Sequence, residues 1–146
     1  MNDGAGRGII RFGWVANALF IATAVPAAAG IDAFGAVSVV VALVLFFTSI
    51  GAFVYAFVVA ATRSANGDNI AVANLFFLQG SAPREVQRNF LWMFVVCLVV
   101  ATATVVWTPF SFLVPMLPIG LAGMWAARYG TFPPRLPPTR RPSTRR

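Results

Sequence analysis

The chain has 146 residues, 59% of them hydrophobic and only 10% charged, with eleven basic and four acidic side chains and a formal net charge of +7. A water-soluble domain keeps roughly a quarter of its residues charged to solvate its surface. Composition therefore excludes an ordinary soluble domain and predicts an all-α, polytopic membrane protein. All eleven basic residues are arginine. Because these arginines sit between and after apolar runs and build no folded basic face, nucleic acid is not expected as a partner.

Taken in chain order, residues 1–11 form a short amino-terminal segment carrying Arg7 and Arg11. Residues 12–30 make a first apolar stretch, and about 20 such residues suffice to cross a bilayer core as a helix. The same region also fits a cleavable signal peptide: arginines, an apolar stretch, then Pro26 and Ala27-Ala28-Ala29. Retention as a span is the expectation. Residues 34–61 (FGAVSVVVALVLFFTSIGAFVYAFVVAA) hold no formal charge. At ~1.5 Å per residue they reach ~42 Å and must tilt or project beyond the hydrocarbon. Two further spans are predicted over 89–107 and 110–129, with Pro115 and Pro118 loosening the outer half of the last one. The short links after the first and third spans make each pair an antiparallel hairpin.

The stretch NLFFLQGSAPREVQRNFLW lies between the hairpins, in the loop of residues 62–88. Its apolar part, 70–78, reaches only ~13 Å as a helix and cannot cross alone. It is expected to lie at the membrane interface, with Phe76 and Phe77 dipping into lipid or bundle. Gly80 ends it. Ser81 is a candidate cap, Pro83 suits a first turn, and Glu85 favours the positive end of a new helix.

Arginine placement sets the expected orientation. The amino end, the long loop and the carboxyl end carry all eleven, and the two short links carry none. Basic residues near span ends stay cytoplasmic, so both termini and the long loop are expected inside a bacterial cytoplasmic membrane. Trp14, Trp92 and Trp125 fall at predicted inner ends and Trp107 at an outer end, where amphipathic rings prefer to sit.

Between the flanking charges, of which Arg128 is one, no predicted span contains Asp, Glu, Lys, Arg or His. Intramembrane ionisable groups mark proton relays and coupled transport, so that class is not expected. With no histidine or lysine and one cysteine, Cys97, in an apolar run, no nucleophile pair, general base or metal cluster is apparent. Catalysis, a cofactor and a metal are not expected. Small residues recur instead: Thr48, Ala52, Ala56 and Ala60 in the second span, and Gly120, Gly123 and Ala127 in the fourth. Small residues let helices approach closely in lipid, either within one chain or between copies and partners. Asn17 is the one strongly polar side chain deep in a span, suited to a hydrogen bond across helices or to a pore wall.

Arg84 and Arg88 are four apart and share a helix face suited to lipid phosphates. The tail, residues 131–146, holds five prolines and five arginines and builds no core. Its Arg140 and Arg141 are expected to contact anionic lipid head groups. The stretches GSAPREVQRNF and LPIGLAGMWAARYGTFPPR resemble small four-span membrane proteins of actinobacterial type, over about residues 75–135. Arginine without lysine is similar to what high-GC genomes encode. That family has no assigned activity, so the resemblance implies the fold and no functional residue. The functional expectation is a non-catalytic accessory or scaffolding protein that contacts other membrane proteins or its own copies. The alternative is a small oligomeric transporter or channel for an uncharged solute.

Overall fold

The structure, a computed structural model, describes residues 6–135. These residues are helical apart from links, with α1 at Arg7–Ala28, α2 at Asp32–Ala65, a short α3 at Val72–Phe76 and α4 at Arg84–Thr104. A 3-10 helix at Pro109–Leu113 and α5 at Met116–Tyr129 complete the order. Among the described residues, four helical stretches are long and apolar enough to cross a membrane: α1, α2, α4, and the 3-10 helix taken together with α5.

The helices begin earlier than the apolar runs suggest. α1 starts at Arg7 and α4 at Arg84, five residues before each expected span. Arginine, glutamate and glutamine are good helix formers, so a helix continues through them until something stops it. Gly6, in a left-handed conformation with φ 78°, stands before α1, and Pro83 stands before α4. α2 starts at Asp32, whose carboxylate suits the positive end of the helix, and ends with Arg63 in its last turn. The first link is therefore Ala29–Ile31, shifted from the expected 31–33. It turns on Gly30 at φ 82°, a conformation that costs a side chain-bearing residue about 1 kcal/mol or more.

The fourth span is broken where the prolines fall. Pro115 becomes the N-cap of α5 and Pro118 lies in its first turn, where the missing N–H costs nothing. The 14 residues of α5 reach only ~21 Å, and the 3-10 helix supplies the rest of the crossing. Hydroxyls close the preceding link: Thr108 Oγ1 donates to the Thr104 carbonyl at 2.9 Å and lies 2.7 Å from Ser111 Oγ.

α5 is the hub. It packs most extensively on α2, with α3, α4 and α1 around its other sides, while α1 also packs on α2 and α4. Of the most apolar stretch of the fourth span, the 3-10 helix with α5, 67% is buried, against 33%, 28% and 22% for the first, second and third spans. Those three turn large apolar side chains outward, among them Val15, Val44, Phe47, Val58, Leu91 and Val99. Such a surface suits lipid and would be untenable in water.

Candidate functional site

Two regions collect the residues singled out in the sequence. The first is the seam between α2 and α5. On α2 the buried stripe is Ser49, Ala52, Ala56 and Ala60. On α5 it includes Gly120, Gly123 and Ala127. A Cβ placed on Gly120 would sit 3.1 Å from the Ser49 carbonyl oxygen and 3.3 Å from Ala52 Cβ. One on Gly123 would lie 3.3 Å from Ala56 Cβ and only 2.5 Å from the Phe76 ring. These contacts climb both helices together, so α2 and α5 run parallel. Thr48 stands beside the seam, not in it, and turns its hydroxyl back to the Val44 carbonyl at 2.8 Å. Ser49 takes the place expected of Thr48. The small-residue faces are thus used inside the chain.

The apolar segment before Gly80 splits in two. Phe76 goes into the bundle, its ring 5.0 Å from that of Phe53 and 5.2 Å from that of Phe57. Phe77 stays outside. Asn17, buried on α1, donates from Nδ2 to the Met93 carbonyl of α4 at 3.1 Å, while its Oδ1 has no donor. Ser49 Oγ is likewise buried without a partner. At Asn17's level the bundle is filled by Phe20 and Met93, and Met93 Sδ lies 2.6 Å from where a Cβ on Gly13 would be.

The second region is one end of the bundle, where the start of α1, the long loop and the end of α5 meet. Arg63 ties it together. Its Nε pairs with Asp68 Oδ2 at 2.8 Å, and its Nη1 donates to the carbonyls of Ala127 and Gly130 at 3.0 Å each. Its guanidinium also lies over the Phe132 ring, 4.8 Å from the centroid. The last carbonyls of α5, which a helix end leaves without partners, are thereby satisfied by a side chain from α2. Beside it, Asp68 bridges Pro134, the Asn69 amide donates to the Pro133 carbonyl at 2.8 Å and the Arg135 amide to the Gly67 carbonyl at 2.7 Å. The sequence signal for this clamp was faint. A last-turn arginine precedes an aspartate by five positions, and nothing local points to Ala127.

The elbow before α4 is built differently from the expectation. Ser81 does not cap α4, because its hydroxyl donates back to the Asn74 carbonyl, and the N-cap is Pro83 with no side-chain cap. Leu78 and Gly80 take left-handed conformations at φ 58° and 70°, and Gln87 Nε2 holds the turn by donating to the Leu78 and Ala82 carbonyls at 2.6 and 3.2 Å. The Thr131 amide donates to the Ser81 carbonyl at 3.0 Å, joining elbow and carboxyl segment.

Between these parts lies an open pocket of about 1100 Å³. Arg7 and Arg11 of α1, Arg84 and Asn89 of α4, and Trp125 and Tyr129 of α5 form much of its wall. Arg88 is exposed outside it, so the two loop arginines do not act on one pocket. Arg140 and Arg141 lie outside the described residues. Trp125 is turned into the bundle, 5% exposed, whereas Trp14, Trp92 and Trp107 are 38%, 56% and 62% exposed.

No family model matches the chain, and no curated protein or solved structure matches it either.

Proposed function

We propose that the protein is a non-catalytic accessory or scaffolding subunit of a bacterial cytoplasmic membrane, crossing it four times as two helical hairpins. In this reading both chain ends and the loop of residues 62–88 face the cytoplasm, α3 lies at the interface, and arginines of this end contact anionic lipid. One observation carries it. The start of α1, the elbow at residues 78–83 and the segment after α5 converge on one end of the bundle, and with them Arg7, Arg11, Arg63, Arg84 and Arg135. This agrees with the tendency of basic residues to remain inside. Because the small-residue seam is taken up within the chain, a partner is met through the elbow and the outward apolar faces.

Two measurements test the reading. With Cys97→Ser as background, an impermeant maleimide should label Ala82→Cys and Thr131→Cys only in inverted vesicles, and Ala29→Cys only from outside. A photo-cross-linker at residue 82 in native membranes should then capture a discrete neighbour. Labelling of residues 82 and 131 from opposite sides, or a monomer with no cross-linked neighbour, would end the proposal.

The second reading, a small oligomeric pore or carrier for an uncharged solute, draws support from two buried atoms without partners, Asn17 Oδ1 and Ser49 Oγ. The filled core around Asn17 favours the first reading. Flux through reconstituted vesicles that Asn17→Leu abolishes would reverse that preference.

A further inference from the structure

A second, smaller hollow lies between the elbow, α4 and α5, about 160 Å³ in volume. Phe76 and Leu78 line it from one side, Leu91 and Phe94 from α4, and Ile119 and Ala122 from α5. Among its lining residues only Phe77 and Leu91 are exposed, so they mark its mouth. The chain does not close this groove because the elbow is pinned. α3 stops at Phe76, Leu78 takes a left-handed conformation at φ 58°, and Gln87 Nε2 donates to the Leu78 and Ala82 carbonyls. The elbow cannot slide over the gap without losing those bonds.

The wall selects what can enter. Gln87 is its one polar side chain, and both Nε2 hydrogens are committed to the elbow carbonyls. No lining residue is charged. A gap of about 150 Å³ lined by Leu, Ile and Phe stays dry and takes an apolar guest the size of a benzene ring. A helix about 10 Å across is too thick for it, whereas a chain of methylenes is slender enough. Charge then gives that guest a direction. Arg88 stands three residues before Leu91, beside it on the surface of α4 and ~4.5 Å nearer the arginine-rich end. It is exposed and makes no ion pair, since the one such pair among the described residues is Arg63 with Asp68. The other two charges of α4, Arg84 and Glu85, both line the open pocket and offset each other there. Arg88 is the charge left beside the mouth of the groove.

We propose that this groove holds one acyl chain of an anionic phospholipid, whose head group is read by Arg88. The inference rests on the reading that these helices cross a membrane with this end at an anionic leaflet. The chain enters between Phe77 and Leu91 and fills the space against Phe94 and Ile119. In lipid it gains little from leaving other chains, so shape decides: it supplies van der Waals contacts that the groove walls otherwise lack. Arg88 lays its stem along the apolar rim and keeps its guanidinium at head-group level. Basic sites at the cytoplasmic ends of membrane helices bind anionic head groups in this way.

The test titrates the full chain, in neutral detergent, with phosphatidylglycerol or with phosphatidylcholine of the same acyl chains. Retained lipid is counted by native mass spectrometry. One phosphatidylglycerol per chain should be held saturably, and phosphatidylcholine about fivefold more weakly. Arg88→Gln should abolish that preference, while Arg11→Gln, which removes the same charge from the open pocket, should keep it. Ala122→Leu pushes carbon into the gap and should weaken retention about fivefold or more. Val99→Phe, on the exposed surface of α4 outside the groove, should change it less than about twofold. Helical circular dichroism checks that each variant folds. The parent protein supplies a readout free of that concern: phosphatidylglycerol with a photoactivatable chain should attach at Phe77, Leu91 or Ile119. The proposal is overturned by attachment elsewhere, by equal retention of both lipids, or by no saturable retention. It is equally overturned if Arg11→Gln acts like Arg88→Gln, which marks diffuse attraction, or if a folded Ala122→Leu binds like the parent. A dimer that holds no lipid and that Ala122→Leu dissociates would give the groove to a second copy instead. Retention in detergent does not depend on sidedness, so failure here leaves the maleimide result standing, and the reverse also holds.

Discussion

At the level of Ala52 and Gly120, α2 and α5 meet through hydrogen and methyl groups, with Ser49 Oγ left unpaired between them. Towards the carboxyl ends of both, the same two helices are joined by Arg63, which reaches Asp68 and the carbonyls of Ala127 and Gly130. In lipid, burying an apolar side chain against a neighbour gains little over leaving it in the bilayer, so closeness of approach decides which helices pair. Beyond the hydrocarbon, backbone ends need partners, and charge and hydrogen bonds decide instead. One helix pair is thus held by residue size along its length and by polar chemistry at its end.

The largest effect should come from filling the seam. Gly120→Leu would drive a side chain against the Ser49 carbonyl and Ala52, both on a helix whose backbone has nowhere to move. The loss should be about 3 kcal/mol or more, at the upper end for an overpacked site, read as unfolding in mixed micelles. Gly51→Leu is the matched control. It lies on the facing helix, α2, with open space around it, and it should leave the bundle intact.

Next in size is the clamp. Arg63→Gln removes an ion pair, two carbonyl contacts and a cation–π contact. The ion pair is partly exposed, so most of the loss comes from the α5 carbonyls, and the total should be about 2 kcal/mol. Hydrogen exchange should accelerate at the amides of Asn69 and Arg135, which pair across the clamp, before it does so in α2. Uniform acceleration along the whole chain would instead make Arg63 a general support of the fold.

The contrast also explains what could be read in advance. The spans were legible because hydrocarbon demands apolar length, and a four-residue spacing found Ala52, Ala56 and Ala60 on one face. Thr48 and Ser49 are both small and polar, however, and only the rotation of α2 against α5 decides which one faces inward. The same ambiguity covers Trp125, since the preference of tryptophan for an interface concerns a height along the helix, and its inward direction needed the fold. The helix start at Arg7 escaped a reading based on hydropathy because helix propensity does not stop where the hydrocarbon does, whereas Pro83 and Glu85 did announce the start of α4 ahead of its span. The Arg63 clamp was the least legible of all, since its acceptors are 64 and 67 positions away. The arginines of the pocket were counted as orientation signals, and their convergence needed the fold.

A smaller effect is expected at Asn17. Its Nδ2 contact to Met93 is offset by an Oδ1 with no donor, so Asn17→Leu should cost less than about 1 kcal/mol, near the average for polar contacts between membrane helices. A loss above 2 kcal/mol, measured by the same unfolding assay, would place a second partner on Oδ1.

Ser49→Ala should have the smallest effect, and it sharpens the comparison most. The hydroxyl is fully buried and makes no hydrogen bond. Removing it leaves a methyl group and discards an unsatisfied polar group, whose retention costs about 1–3 kcal/mol where no partner exists. The variant should therefore be as stable as the parent or slightly more so. The outcome reports on the dryness of the seam itself. If Ser49→Ala lost 1 kcal/mol or more, the hydroxyl would have to hold a water molecule between α2 and α5. Size alone would then no longer account for the pairing of these two helices.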